Sequence, residues 1–166
     1  MRPILFADNE TNYTSEGLGK LSDAISCRVR EKRNDLYELK MVYPVTGIHY
    51  SDISVTRQIY APPAPKKTPQ PFEIYEITKP MNGKVTVRAQ HKSYRLRYIP
   101  VVPFSATNVG AALAGLRTNA AETCPFNFST DLTTTANFSM DHEMSIRECL
   151  GGVEGSILEV YGGELE

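Results

Sequence analysis

The sequence contains no tryptophan, only three cysteines and no long hydrophobic run. Cys27, Cys124 and Cys149 are odd in number, widely separated and without a Cys-x-x-Cys pair, which argues against both a structural zinc site and a disulfide framework. We expect reduced, buried thiols that pack as small hydrophobic groups. The N-terminal apolar run is too short for a signal peptide and no later segment could span a bilayer, so we expect synthesis in a cytosol and no membrane insertion.

An excess of charge of one sign is also missing. The chain has 18 Lys and Arg residues against 19 Asp and Glu residues, a net charge of -1. Proteins that grip nucleic acid through its phosphates usually show a strong basic excess, so tight nucleic-acid binding is not predicted. A hydrophobic content of 41% and a charged content of 22% are typical of an ordered globular protein.

Catalytic and nucleotide-binding motifs are missing as well. The chain has no phosphate-binding loop, no G-x-G-x-x-G after a strand, no G-x-S-x-G and no H-E-x-x-H. Asp141-His142-Glu143 is a dense polar triplet, but neighbouring residues of a strand point to opposite faces and would not converge on one metal or substrate. His49 lies in a loop beside Tyr50 and Asp52, with no candidate nucleophile near it in the sequence.

Two further candidates are interpreted as structural. His91 falls on the apolar face of its predicted strand, which favours a neutral core histidine over a ligand. Cys149 lies on an apolar stripe with Ile146 and Leu150, where burial raises a thiol pKa and makes a poor nucleophile. We therefore assign no catalytic, cofactor-binding or metal-binding residue, expect no cofactor, and expect that this chain is not an enzyme.

Two β-hairpins are the clearest positive signals. In the segment 72–96, Asn82-Gly83 is the favoured pair for a type I′ turn because both residues tolerate positive φ. Val85, Val87, Ala89 and His91 then alternate with polar residues, which predicts one buried and one solvated face. The segment 24–43 shows the same alternation on both sides of a polar loop, 32–35.

The basic cluster of the second hairpin has two interpretations. Arg28, Arg30, Lys32 and Arg33 could form an anion patch, but their alternation with apolar residues favours a solvated strand face. After this hairpin we predict a loop or helical turn over 44–53, a strand over 55–61, and an exposed proline-rich connection over 62–71. A Pro-x-x-Pro ligand is the sharper alternative for that connection.

Helical periodicity appears only after residue 103. The spacing of Val109, Ala112, Leu113 and Leu116 predicts an amphipathic helix over 106–121, capped by Ser105 or Thr107 and packed on the outside of the sheet. A second helical segment starts at Ser145. The fold class predicted is mainly β (α+β), an antiparallel β-barrel with one packed helix and a C-terminal helical segment. We divide the chain into a β-barrel domain, 1–104, and a helix with short strands and the start of a next subdomain, 105–166.

Several motifs together resemble a known family. Those that carry the resemblance most strongly are Phe72-x-Ile74, the Asn82-Gly83 turn and Ala89-x-His91-x-x-Tyr94-x-Leu96. The supporting segments, in chain order, are Leu21-Ser22-Asp23-Ala24, Tyr43-Pro44-x-x-Gly47, Ala111-Ala112-Leu113, Pro125-Phe126-x-Phe128, Ser145-Ile146-Arg147, Leu150-Gly151-Gly152, Glu154-Gly155-Ser156-Ile157-Leu158 and Gly162-Gly163-Glu164. Together they are similar to the N-terminal region of phage tail proteins of Gram-positive hosts, which are variously called minor structural protein, tail spike, prophage endopeptidase tail protein or tail-associated lysin.

The resemblance implies a baseplate hub at the tail tip of a virion. In that family small β-barrel domains assemble as a homotrimeric ring that closes the tail tube, joins the distal tail protein and carries C-terminal regions that bind or digest the host wall. The family's segment at 145–164 continues into further strands, so we expect this chain to be the N-terminal piece of a longer protein. The expected partners are copies of the chain, the distal tail protein and tail tube proteins, with transient contact to genome DNA in the lumen.

Two other functions stay open at this point. One is a peptidoglycan hydrolase, an endopeptidase whose catalytic part lies beyond residue 166. The other is a nucleic-acid-binding β-barrel that uses Arg88, Lys92, Arg95 and Arg97, against which the near-zero net charge argues.

Overall fold

Alternating apolar and polar residues build one large antiparallel sheet in the first part of the chain. The computed structural model describes residues 2–165 and divides into two compact units, one ending at Lys92 and the other beginning at Ser93. The sequence-based boundary after residue 104 therefore falls inside the second unit. The strands of the first unit are β1 (Ile4–Phe6), β2 (Gly19–Lys20), β3 (Ser26–Glu31), β4 (Tyr37–Pro44), β5 (Gln58–Ala61), β6 (Gln70–Ile77) and β7 (Lys84–His91).

These seven strands form a curled half-barrel. Their order in the sheet is β2-β1-β5-β6-β7-β4-β3, and every neighbouring pair is antiparallel. The mainly antiparallel β, α+β class predicted from the sequence is confirmed. The barrel does not close, because β2 and β3 stand at the two edges of the sheet and do not pair with each other within the described residues.

The concave face of the sheet carries the core of the first unit. Across the two central strands the register pairs Leu39 with Ala89 and Met41 with Val87, and all four side chains are buried. The rest of this core comes from along the whole first unit and consists of Leu5, Leu21, Tyr43, Ile53, Ile59, Ala61, Phe72, Ile74 and Val85. The alternation read from the sequence therefore assigns the buried face of β4 and β7 correctly.

The hairpin of β6 and β7 has the turn that its sequence predicts. Asn82 and Gly83 adopt φ values of 51° and 71°, as both central positions of a type I′ turn require. The strand prediction was wrong beyond His91, because Lys92–Tyr98 is a 3₁₀ helix rather than a continued strand. Leu96 is the buried residue of that helix, so the period-2 alternation of β7 does not continue past His91.

The segments that link the two hairpins differ in detail from the predicted pattern. The helical turn expected within 44–53 is a 3₁₀ turn at Tyr50–Asp52. The following strand, β5, begins only at Gln58, since Thr56 has a φ of 78° that interrupts extended backbone. Pro71 lies within β6, where it pairs with Tyr60, so the proline-rich connection is shorter than predicted.

A polar loop after β1 covers the outer side of β5. The ring of Tyr13 stacks on Tyr60 with centroids 4.9 Å apart, and its hydroxyl hydrogen-bonds the side-chain oxygen of Gln58, which is fully buried. Lys92 Nζ donates to the carbonyl of Glu10 at 2.5 Å and to the hydroxyl of Tyr13 at 3.0 Å. These bonds hold a segment without regular structure of its own against the sheet.

The second unit combines short strands and helices around a separate core. Its elements are β8 (Pro100–Val101), β9 (Ser105–Ala106), α1 (Val109–Thr118), β10 (Phe138–Ser139), β11 (Met144–Ser145), α2 (Ile146–Leu150) and α3 (Ile157–Tyr161). β8 pairs with β11, and β9 pairs with β10. Ser145 caps α2 in a capping box with Glu148, which confirms the predicted start of that helix. Phe126 and Phe128 of the Pro125-Phe126-x-Phe128 motif lie outside the strands of this unit.

Helix α1 is shorter than predicted and has another cap. Its N-cap is Asn108, whose Oδ1 accepts from the backbone N of Ala111 at 2.8 Å, rather than Ser105 or Thr107. The buried stripe is the predicted one, but it belongs to the core of the second unit and not to that of the seven-stranded sheet. Gly115 in this helix packs so closely on the ring of Phe104 that an added Cβ would lie 2.2 Å from a ring carbon.

The two glycines of α1 give a matched pair of substitutions. We expect Gly110→Ala to raise the free energy of unfolding by about 0.5 kcal/mol, because alanine loses less backbone entropy in a helix and the nearest atom to its Cβ is 3.5 Å away. Gly115→Ala should lower the free energy of unfolding by about 1–3 kcal/mol, because the ring of Phe104 has to move. Urea unfolding followed by circular dichroism measures both. Equal effects of the two substitutions would contradict this packing of α1.

Candidate functional site

The polar triplet at 141–143 is a surface feature. His142 Nδ1 lies 2.6 Å from Asp141 Oδ1, and the two side chains are 71% and 92% exposed. The hydrogen bond from His142 lowers the pKa of Asp141, and the bond from Ser145 lowers the pKa of Glu148. Among residues 2–165 no group of three His, Cys, Asp or Glu side chains is placed to hold a metal ion.

His49 anchors the loop that follows β4. Its Nδ1 lies 3.0 Å from Asp52 Oδ2, and Arg57 lies 3.8 Å from the other oxygen of the same carboxylate. On its other side the imidazole packs against Gly19, where an added Cβ would lie 2.3 Å from Nε2. The hydroxyl of Tyr43 accepts from the backbone N of His49 at 3.3 Å, but within the described part of the chain no hydroxyl or thiol side chain hydrogen-bonds the imidazole. The histidine and aspartate therefore lack the nucleophile that a hydrolase would need.

His91 lies in an aromatic cluster, as its strand position predicts. Its ring stacks on Tyr37 with centroids 4.5 Å apart and meets the ring of Phe72 at 5.6 Å in an edge-on arrangement. Burial, together with the charge of Glu31, raises the pKa of Tyr37 to about 12. The site therefore favours packing over ligand binding.

Cys27 and Cys149 are poor nucleophiles. Cys149 is fully buried, with Sγ 3.2 Å from the sulfur of Met140, and burial raises the pKa of its thiol to about 11. Burial raises the pKa of Cys27 to about 11 as well. Because the thiolate is the reactive form, neither residue supplies it near neutral pH.

Three of the four basic residues considered for nucleic-acid binding, Arg88, Lys92 and Arg97, contact other groups of the chain. Arg88 lies on the outer face of β7 and pairs with Glu76 at 3.4 Å. Lys92 is bonded to the loop after β1, as described above. In the second unit the guanidinium of Arg97 lies 4.8 Å from the centroid of the Tyr94 ring. Each of these three side chains therefore contacts a group in its own unit.

The strand register reveals a row of cations that the sequence did not indicate. Arg28 of β3 lies opposite Lys40 of β4, and Lys40 lies opposite Arg88 of β7. All three side chains are exposed on the convex face of the sheet. Within the described residues neither Arg28 nor Lys40 forms an ion pair, and Arg88 at the inner end of the row pairs with Glu76. We call Arg28, Lys40 and Arg88 the cation row.

The geometry of the cation row opposes stability. Val45 N donates to the carbonyl of Gly83 at 2.9 Å, and from this bond the alternation of the ladder makes Lys40–Arg88 a non-hydrogen-bonded pair. Side chains approach most closely in such pairs, and like charges directly opposite each other destabilise a sheet. The alignment of Lys40 with Arg88 depends on the register between β4 and β7, so neither strand's sequence reveals it alone.

The surface depressions of the second unit show no convergence of reactive groups. One, open to solvent, is lined by Gly152, Val153, Glu154, Ser156, Leu158 and Glu159. Another lies beside the end of α1, from Ala114 to Cys124, and is also open. Searching the described residues, we find no helix of the length and hydrophobicity needed to cross a membrane.

Comparison with known proteins identifies a similar fold. No protein-family model matches the chain, and no curated protein matches its sequence. The crystal structure of prophage tail protein gp18 from Listeria monocytogenes EGD-e is similar over 98% of this chain, with a TM-score of 0.58 and 15% sequence identity. The chain spans 46% of the length of that protein. At this identity the similarity establishes a shared fold.

The cation row yields a prediction on stability. Lys40→Glu places a carboxylate between Arg28 and Arg88, so we expect the free energy of unfolding to rise by about 0.2–1 kcal/mol at low salt. The gain should shrink at high salt because these charges are exposed. Thermal and urea unfolding measure it. Lys67→Glu, an equal change of charge in the exposed proline-rich loop, is the control. The same gain from both variants would contradict the cross-strand explanation.

The buried thiol of Cys149 yields a prediction on pH dependence. The folded protein keeps this thiol protonated up to about pH 11, whereas an ordinary thiol loses its proton near 9.0. The contribution to stability is therefore complete below pH 9 and is lost as the pH rises toward 11. Cys149→Ala removes this dependence and leaves a cavity cost that does not change with pH. We expect the stability difference between the two proteins to shrink between about pH 8 and about pH 11, measured by urea unfolding. A constant difference would contradict the prediction.

Proposed function

We propose that this chain is a structural component of a phage or prophage tail. The observation that carries the proposal is the fold similarity to a prophage tail protein, which extends over 98% of this chain. The order and spacing of the motifs in the sequence support it independently of the coordinates. A fold shared at 15% identity supports an analogy of role, and the role itself has to be tested on virions.

The finer proposal is a baseplate hub at the tail tip. We infer that copies of the chain form a homotrimeric ring that closes the tail tube and contacts the distal tail protein and tail tube proteins. The ring would carry downstream regions that bind or degrade the host wall, and the protein would reach the virion after synthesis in the bacterial cytoplasm. Contact with genome DNA would be transient, since the net charge is -1 and Arg88 and Lys92 bond within the chain.

A mechanical role fits the surfaces better than catalysis. Acyl or glycosyl transfer needs a nucleophile with a positioned base, or paired carboxylates across a cleft. His49 and His142 each contact one aspartate, and Cys149 is enclosed by apolar groups. The alternative, a peptidoglycan hydrolase with its catalytic part beyond residue 166, gains no support from the contacts within residues 2–165.

The proposal predicts the location of the chain in virus particles. Antibodies raised against the purified chain should place gold label at one end of the tail, away from the head, on particles induced from the bacterial strain that carries the gene. Particles from the same strain with the gene deleted are the control and should carry no label. Label on the head would contradict the proposal. So would particles with complete, normal tails from the strain in which the gene is deleted.

The same purified chain separates the structural function from the enzymatic alternative. Incubated with Gram-positive cell walls, it should cause no loss of turbidity. Digestion that Cys149→Ala or His142→Ala abolishes would overturn the mechanical interpretation.

A further inference from the structure

Strand β3 presents an unpaired edge of six residues. Its described backbone pairs are with β4 alone. Lys32 N donates to the carbonyl of Leu36 at 2.7 Å, and from this bond the alternation of the ladder turns every second residue of β3 toward β4. The amide and carbonyl groups of Cys27, Val29 and Glu31 therefore point away from the sheet. They form a template on which another extended segment can pair.

The concave side of this edge is incompletely covered. Cys27 and Val29 are half-buried and pack against the core, while their cross-strand neighbours Met41 and Leu39 are fully buried. An additional strand would extend the core by one row if its side chains on this face were apolar. Complementarity on the concave side therefore calls for apolar residues at alternate positions.

The convex side of the same edge is cationic. Arg28 and Arg30 are exposed there. Arg30 lies opposite Glu38 of β4, whereas Arg28 lies opposite Lys40 and stands at the outer end of the cation row. A carboxylate on an added strand would lie beside Arg28 and offset the like-charge contact between Arg28 and Lys40. The convex side therefore calls for acidic residues at the positions between the apolar ones.

A second copy of β3 does not meet these requirements. Pairing two β3 edges would bring Arg28 and Arg30 of one copy beside the arginines of the other, and like charges across an interface disfavour association. The positive charges of β3 thus disfavour pairing between two copies of this strand and favour pairing with a negatively charged segment.

We propose that the β3 edge binds an extended segment of a partner protein in which acidic residues alternate with apolar ones. The segment adds an eighth strand to the half-barrel, its backbone pairing with Cys27, Val29 and Glu31 and its carboxylates facing the cation row. The inference rests on the geometry of the sheet and does not depend on the proposed tail function.

A synthetic peptide tests this proposal on the complete chain. The probe is a fluorescein-labelled peptide in which glutamate alternates with valine and threonine, and binding is followed by fluorescence anisotropy. We expect Arg28→Glu and Lys40→Glu each to weaken binding by about tenfold, and high salt to weaken binding of the unaltered protein. Lys67→Glu is the matched control and should leave binding unchanged. Because Lys40→Glu is expected to stabilise the fold, its loss of binding cannot be attributed to unfolding.

A second peptide separates strand pairing from simple charge attraction. It has the same sequence but carries a methyl group on every backbone nitrogen, so it keeps its charge while neither of its edges can donate backbone hydrogen bonds to β3. We expect it not to bind, and we expect the unmodified peptide to slow hydrogen exchange at the amides of Cys27 and Val29. Equal binding of the two peptides, or no binding of either, would overturn the proposal. Tighter binding of a single-stranded oligonucleotide, sensitive to the same substitutions, would overturn it in favour of a polyanion surface.

Discussion

The pairing of β4 with β7 is the interaction on which the first unit depends. Seven residue pairs, from Glu38–Gln90 to Pro44–Lys84, join two hairpins that are each formed locally. On the concave side this pairing brings Leu39 and Met41 against Ala89 and Val87, and so creates the centre of the core. On the convex side the same pairing aligns Lys40 with Arg88. One register thus determines both what is buried and which charges face solvent.

Local features of this fold could be predicted, whereas features that depend on distant contacts could not. The alternation of Val85, Val87 and Ala89 and the Asn82-Gly83 turn identify a hairpin without further information. The cap of α1 was misassigned because Ser105 also has a cap-forming side chain. Ser105 is held extended by pairing with Ser139, a contact far along the chain. The complete cation row could not be predicted from the sequence for the same reason, since β5 and β6 lie between β4 and β7 in the chain.

Three residues considered as functional candidates in the sequence make structural contacts in the fold. His49 closes a loop against Asp52 and Gly19, His91 completes an aromatic cluster, and Cys149 fills a core. On the outer surface of the half-barrel, exposed charge and an open strand edge coincide. Surfaces of this kind suit assembly, because they offer directional backbone pairing together with charge selection.

The strand order also constrains when the sheet can form during synthesis. Hairpin β3–β4 can form as soon as it leaves the ribosome, but the other edge of β4 has no partner until β7 emerges at His91. β1 waits for β5, pairing Ile4 with Tyr60 across more than fifty intervening residues. The nascent chain therefore exposes the apolar faces of β1 and β4 until most of the first unit has been made. Such long-range pairing slows folding, and it makes the period before His91 emerges the time of greatest risk of misassembly.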